Sequence, residues 1–247
     1  MTTTTTTDVG DRSVVRSFYI VLSIAMIVIV AGGFGPSLVD TRARHLPVTP
    51  MVVLHGVAYA AWLALFLAQA TLGATRRTSM HRRLGKTVVV LAPIMVVLGY
   101  MTSVAMAHRG IDLSGDLHTE SDPLLGIVNP LGDLLAFTIL VAAGFYYRRR
   151  PAVHKRLMVF ATVCLMPAPL AHLIGHFSAL NAMPPPIILL PLGALLFSSA
   201  VYDRVSLGRV HPVSLWVAFA VLAWVMLLNR VIGPSAAWHQ FAAWIAR

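Results

Sequence analysis

Apolar runs of about 18 residues or more recur along the chain, and each can cross a hydrocarbon core of ~30 Å at ~1.5 Å per residue. Lipid offers backbone N–H and C=O groups no hydrogen-bond partner, so helices are the structure such runs permit. The runs predict seven transmembrane helices, at 17–35, 51–73, 87–107, 126–147, 156–179, 186–202 and 213–232. The expected fold class is therefore all-α, a polytopic integral membrane protein with one transmembrane helical domain over 17–247 and a disordered tail over 1–16. That tail opens Met1-Thr2-Thr3-Thr4-Thr5-Thr6-Thr7 and lacks a basic stretch joined to a short apolar core and cleavage site. The first span is expected to stay in the mature protein.

Charge sets the expected orientation. Only 11% of residues are charged against 57% hydrophobic, outside the range of a soluble domain. The net charge of +10 does not point to nucleic acid, because the cations cluster in alternate loops: Arg76, Arg77, Arg82, Arg83 and Lys86, then Arg148, Arg149, Arg150, Lys155 and Arg156. Basic loops face the cytoplasm. The 108–125 loop carries Asp112, Asp116, Glu120 and Asp122, which suits the opposite side, and Arg204 and Arg209 place the sixth loop inside. This predicts a cytoplasmic N-terminus and an external C-terminus. The single cysteine, Cys164, excludes an internal disulfide and reads as a small core residue. Prolines and glycines mark the joints, at Gly35-Pro36, Pro47, Pro50, Pro123, Pro184-Pro185-Pro186 and Gly233-Pro234.

Two segments resemble each other: Met80-His81-Arg82-Arg83-Leu84-Gly85-Lys86 and Val153-His154-Lys155-Arg156-Leu157-Met158. Each follows an apolar run and an arginine pair or triplet, and each opens another apolar run. Aligning His81 with His154 suggests a duplicated helical hairpin, spans 2–3 and 4–5, wrapped by spans 1, 6 and 7. Repeated units commonly place binding sites at their interface.

The polar residues inside the runs are the candidate site residues. On the second span His55, Tyr59, Trp62, Phe66 and Gln69 follow steps of four and three and line one helix face, expected to turn inward because His55 and Gln69 would be unpaired in lipid. Asp133 in the fourth span, one turn from Asn129, is an intramembrane carboxylate and a candidate proton-transfer or catalytic residue. His172 and His176, four apart in the fifth span, share a face and could hold one metal ion. Pro167 and Pro169 are expected to kink that helix.

Depth sorts the imidazoles into an inner layer, His81 and His154, and an outer one, His55, His172 and His176, with His108 and His118 near the external loop. Two such layers are what two b-type haems would need, each iron taking two axial nitrogens. The blander reading is also open, with His81 and His154 facing lipid phosphates beside their cations.

As a set, Leu54-His55-Gly56, Trp62, Leu65-Phe66, Gln69, His81-Arg82-Arg83-Leu84-Gly85 and His154-Lys155-Arg156-Leu157-Met158 resemble a family of uncharacterised bacterial polytopic membrane proteins. The segment from His154 to His176 is similar to the last hairpin of a small bacterial membrane family implicated in cytochrome oxidase assembly. Histidine pairs at opposite helix ends also resemble the architecture of cytochrome b561-type di-haem proteins, although Asn129 and Asp133 stand where span four would carry an outer histidine. These resemblances imply a bacterial inner-membrane protein with a respiratory-chain protein or quinone as partner.

Three functions follow as expectations. One is haem b binding for electron transfer or oxidase assembly, with His81 and His154 as inner ligands, His55 with His172 or His176 as outer ligands, and Asp133 and Gln69 tuning the site. Another is an intramembrane zinc hydrolase, with His55, His172 and His176 on the metal and Asp133 as general base. The third is a cofactor-free proton-coupled transporter or structural bundle built around Asp133.

Overall fold

The computed structural model describes residues 8–39, 49–109, 122–176 and 185–247. The 1–7 part of the expected tail lies outside them, as do His118, Asp112, Asp116 and Glu120 of the long loop. Every element among the described residues is helical. Helix α1 (Asp8–Val39) begins nine residues ahead of the expected first span, so the second half of the expected tail is helical. It is followed by α2 (Pro50–Ala74), α3 (Thr78–Gly85), α4 (Val88–Arg109), α5 (Pro123–Gly126) and α6 (Val128–Tyr146). Then come α7 (Pro151–Val163), α8 (Pro167–Gly175), α9 (Leu189–Leu207), α10 (Pro212–Leu227), a π-helical turn at Leu228–Ile232, and α11 (Ala236–Ile245).

Five stretches are long and apolar enough to cross a membrane: Ser17–Val39, Pro50–Ala74, Thr78–His108, Pro123–Tyr146 and Pro212–Ile232. The pair α7 and α8 makes a sixth if its two arms form one span. They meet at 41°, the kink expected from Pro167, which starts α8 where α7 has run out of backbone donors. The expected 186–202 span is a helix, α9, but it is not among those apolar enough. It runs on through Tyr202, Asp203 and Arg204, and its serines dilute it further.

The core lies between α1, α2, α4, α6 and the α7–α10 group, around Met26, Trp62, Met95, Phe137, Phe160 and Leu196. The inward stripe of α2 is as its spacing requires. Trp62 is 1% exposed, stacks edge-on against Phe137 at 4.9 Å, and donates its indole N–H to Thr162 Oγ1 at 3.2 Å. The opposite face, with Val53, Leu54 and Val57, is exposed. Helices α1 and α8 approach backbone to backbone at Gly33, where a Cβ would overlap the Pro169 carbonyl.

The end of the chain folds back on α5. Ser235 caps α11 by accepting from Trp238 N at 3.1 Å, and Trp238 Nε1 donates to Leu124 O at 2.8 Å. Asp122 uses one oxygen to cap α5, accepting from Leu124 N and Leu125 N, and the other to accept from His239 Nε2 at 2.6 Å. His239 Nδ1 faces Ser235 O at 2.9 Å, so both ring nitrogens meet acceptors and the imidazolium is the favoured form. The His239 hydrogen bond lowers the Asp122 pKa, and the Ser235 carbonyl, then Asp122, raise that of His239.

Asp122 contributes above the ordinary carboxylate range and its share is lost as pH falls through its lowered pKa. His239 contributes below the ordinary imidazole range and its share is lost as pH rises through its raised pKa. Hydrogen exchange over 236–245, corrected for intrinsic rate, is therefore expected to accelerate as pH rises above about 7, and to be fast at every pH in Asp122→Asn. Equal protection in the two proteins across that range would refute the clasp.

Candidate functional site

The two sequence copies place their histidines in the same way. After α2 the chain turns sharply through Arg76, at φ 59°, with Arg76 N bonded to Gly73 O and Arg77 N to Leu72 O. This Schellman-type turn closes the α2 C-terminus and sends α3 back along it. His81 Nδ1 then lies 3.3 Å from Gln69 O, and Gln69 Nε2 donates to His81 O at 3.1 Å. In the second copy Pro151 starts α7, and His154 Nδ1 lies 2.8 Å from Gly144 O in the last turn of α6. Helices α6 and α7 pack closely there, since a Cβ on Gly144 would stand 2.8 Å from Met158 Sδ.

A carbonyl only accepts, so each Nδ1 carries the proton, and in the neutral ring each Nε2 is left with a lone pair. The half-buried imidazoles of His81 and His154 are neighbours, with ring centres 6.4 Å apart and planes at 85°. Two imidazoles on opposite sides of one metal ion need about 6 Å, from roughly 2 Å per metal–nitrogen bond and about 1 Å from nitrogen to ring centre. Fixing Nδ1–H on a carbonyl is the usual way a protein orients a metal-binding histidine. Around the pair, Arg82, Arg83, Lys86, Arg148, Arg149 and Arg150 are all exposed.

The other candidates are placed differently. His55 stacks on Tyr59 at 4.1 Å, with Nδ1 3.4 Å from Thr102 Oγ1. His172 is 5% exposed and packs on Phe34 at 4.6 Å, while His176 Nε2 bonds Gly33 O at 2.7 Å. The shared face of His172 and His176 is as their spacing predicts, and what it faces is α1. No three His, Cys, Asp or Glu side chains among the described residues converge on a common metal position. Asn129 forms a reciprocal amide pair with Asn229 of the π-helical turn, at 3.0 and 2.9 Å. Asp133 makes no hydrogen bond or ion pair to another described residue.

Sequence reasoning missed the most buried charged group. Arg156, 1% exposed, pairs with Asp203, 0% exposed. Its Nε donates to Asp203 Oδ2 at 3.0 Å and lies 2.8 Å from Ser214 Oγ; Nη1 bonds Ala152 O and Nη2 bonds Asp203 Oδ1. Asp203 also accepts from Ser214 Oγ and from His211 N at 3.2 Å. The available signal was an aspartate ending an apolar run, at 203, beside a helix carrying an arginine at 156.

Removing one partner of a buried pair strands the other, at a cost of about 3–5 kcal/mol. Arg156→Met and Asp203→Leu are each expected to lower the unfolding temperature in detergent strongly, and the double replacement to recover much of the loss. Additive losses in the double variant would contradict a coupled pair. Comparison with known family models, with curated proteins and with solved structures returns no match for this chain.

Proposed function

We propose that this chain is a multi-pass protein of the bacterial inner membrane that binds one haem b between His81 and His154, for electron transfer or oxidase assembly. The observation that carries this reading is the adjacent imidazole pair, with both Nδ1 atoms committed to carbonyls and neither Nε2 bonded to another described residue. A tetrahedral zinc ion would need two more ligands, whereas haem iron needs only the two axial nitrogens. Haem also brings two propionates, and exposed arginines flank the pair on both sides, at Arg82 and Arg83 and at Arg148 to Arg150.

When bound, haem supplies one-electron chemistry. The chain's own residues hold and orient it. Gln69 fixes the His81 backbone, Gly144 and Gln69 carbonyls set the ring tautomers, and the basic loops neutralise the carboxylates. In this reading α9 is the seventh crossing helix, the arginine-rich loops are cytoplasmic and the haem lies near the inner surface, within reach of a quinone or a respiratory-chain protein. His176 has committed its Nε2 to Gly33 O, so an outer haem is not part of the proposal.

Detergent-purified protein, expressed with haem supply, is expected to show sharp reduced α and Soret bands at one haem per chain. His81→Ala and His154→Ala should each abolish the low-spin bands, with added imidazole restoring them, and His176→Gln should leave them unchanged. Flat spectra from folded protein would overturn the assignment.

A further inference from the structure

Helix α11 carries an exposed aromatic face, and two neighbours fix its depth. The apolar stretch Pro212–Ile232 is 21 residues long, or ~31 Å at ~1.5 Å per residue, which matches the hydrocarbon core. A helix of that length ends at a membrane surface, and α11 begins four residues later, at Ala236. The other neighbour is the start of the Pro123–Tyr146 stretch. Asp122, the cap of α5, accepts from His239, and Trp238 Nε1 donates to Leu124 O. The turn between α10 and α11 is pressed onto the same place, where a Cβ on Gly233 would lie 2.7 Å from Leu125 Cδ1. Two apolar stretches thus end beside α11, away from the arginine-rich loops.

At about 100° per residue, the side chains of α11 fall into three sectors. One packs on the protein: Trp238 and His239 make the bonds just given, and Ala242 is buried. The second is apolar and exposed, formed by Ala237, Phe241 and Trp244, with Phe241 47% and Trp244 67% exposed. The rings of Trp238, Phe241 and Trp244 follow one another at 5.7 and 6.2 Å, an aromatic ridge along the helix. The third sector is narrow and polar, Gln240 with the small Ala236 beside it, both exposed. At 10 residues α11 is too short to cross a membrane. A helix lying flat in a bilayer surface beside a protein needs these three sectors, one each for protein, lipid and water. Tryptophan suits that depth because its ring is apolar and its N–H is polar.

We propose that α11 is an interfacial helix lying in the bilayer surface, with Ala237, Phe241 and Trp244 set into the boundary between headgroups and acyl chains and Gln240 facing water. The partner of the exposed face is phospholipid. Its role is to hold the ends of α10 and α5 at headgroup depth, since moving either along the membrane normal would drag Phe241 and Trp244 out of that boundary. The inference needs α10 to cross the membrane and is independent of the haem.

The test uses the full-length protein in vesicles of phosphatidylcholine and phosphatidylglycerol. A nitroxide is attached in turn through Ala237→Cys, Gln240→Cys, Phe241→Cys and Trp244→Cys, with the buried Cys164 replaced by alanine. Electron paramagnetic resonance then reads collisions with oxygen, which enters lipid, and with a neutral nickel chelate, which stays in water. The oxygen-to-nickel ratio is expected to be several-fold higher at 237, 241 and 244 than at 240. Equal ratios at all four positions would overturn the proposal by placing the helix in water. Poor access to both reagents at 241 and 244 would also overturn it, because protein, from a second copy or another part of this chain, would then cover the face. A second readout keeps the native cysteine. Lipids brominated near the headgroup end of their chains quench tryptophan on contact, and Trp244→Phe is expected to lower the quenched fraction of the fluorescence. An undiminished fraction would contradict the placement of Trp244.

Discussion

The Arg156–Asp203 pair is the interaction on which the rest of the arrangement depends. A buried charge is tolerated only when paired and saturated with hydrogen bonds, and Arg156 meets that condition by drawing α9 and the start of α10 onto α7. Its two predecessors are held in other directions. Lys155 Nζ lies over the rings of Tyr19 and Tyr202, at 5.0 and 5.6 Å, and His154 reaches back to α6. Three consecutive side chains, about 100° apart around a helix, reach α6, then α1 and α9, then α9 and α10. That fixes the rotation of α7 and, with it, the direction of the His154 ring.

The first copy of the motif lacks this anchor. With His81 aligned on His154, Arg83 stands where Arg156 does, yet Arg83 is exposed and Arg156 is not. What the copies share is the imidazole bonded to the last turn of the preceding helix, through Gln69 O in one and Gly144 O in the other. The two rings meet between α3 and α7.

Much of this was legible in the sequence because it is local. Apolar run length marked the helices, Pro167 marked the kink, and the steps from His55 to Gln69 marked the buried face of α2. Partners 47 residues apart, as Arg156 and Asp203 are, leave no periodic trace, and an arginine at the basic end of a helix reads as a topology signal. The same limit applied to His172 and His176. Their spacing put them on one face, but only the fold shows that α1 covers it through Phe34 and Gly33. Helix α9 was expected as an ordinary span, and the cost of carrying Asp203 within it became intelligible only with Arg156 opposite.

The central claim is that His81 and His154 grip one iron with their ring planes near perpendicular. The ferric protein's electron paramagnetic resonance spectrum reads that angle directly. At 85° between the planes, a strongly anisotropic low-spin signal is expected. A rhombic low-spin signal, as parallel imidazoles give, or a high-spin signal from iron with a single histidine, would contradict the arrangement.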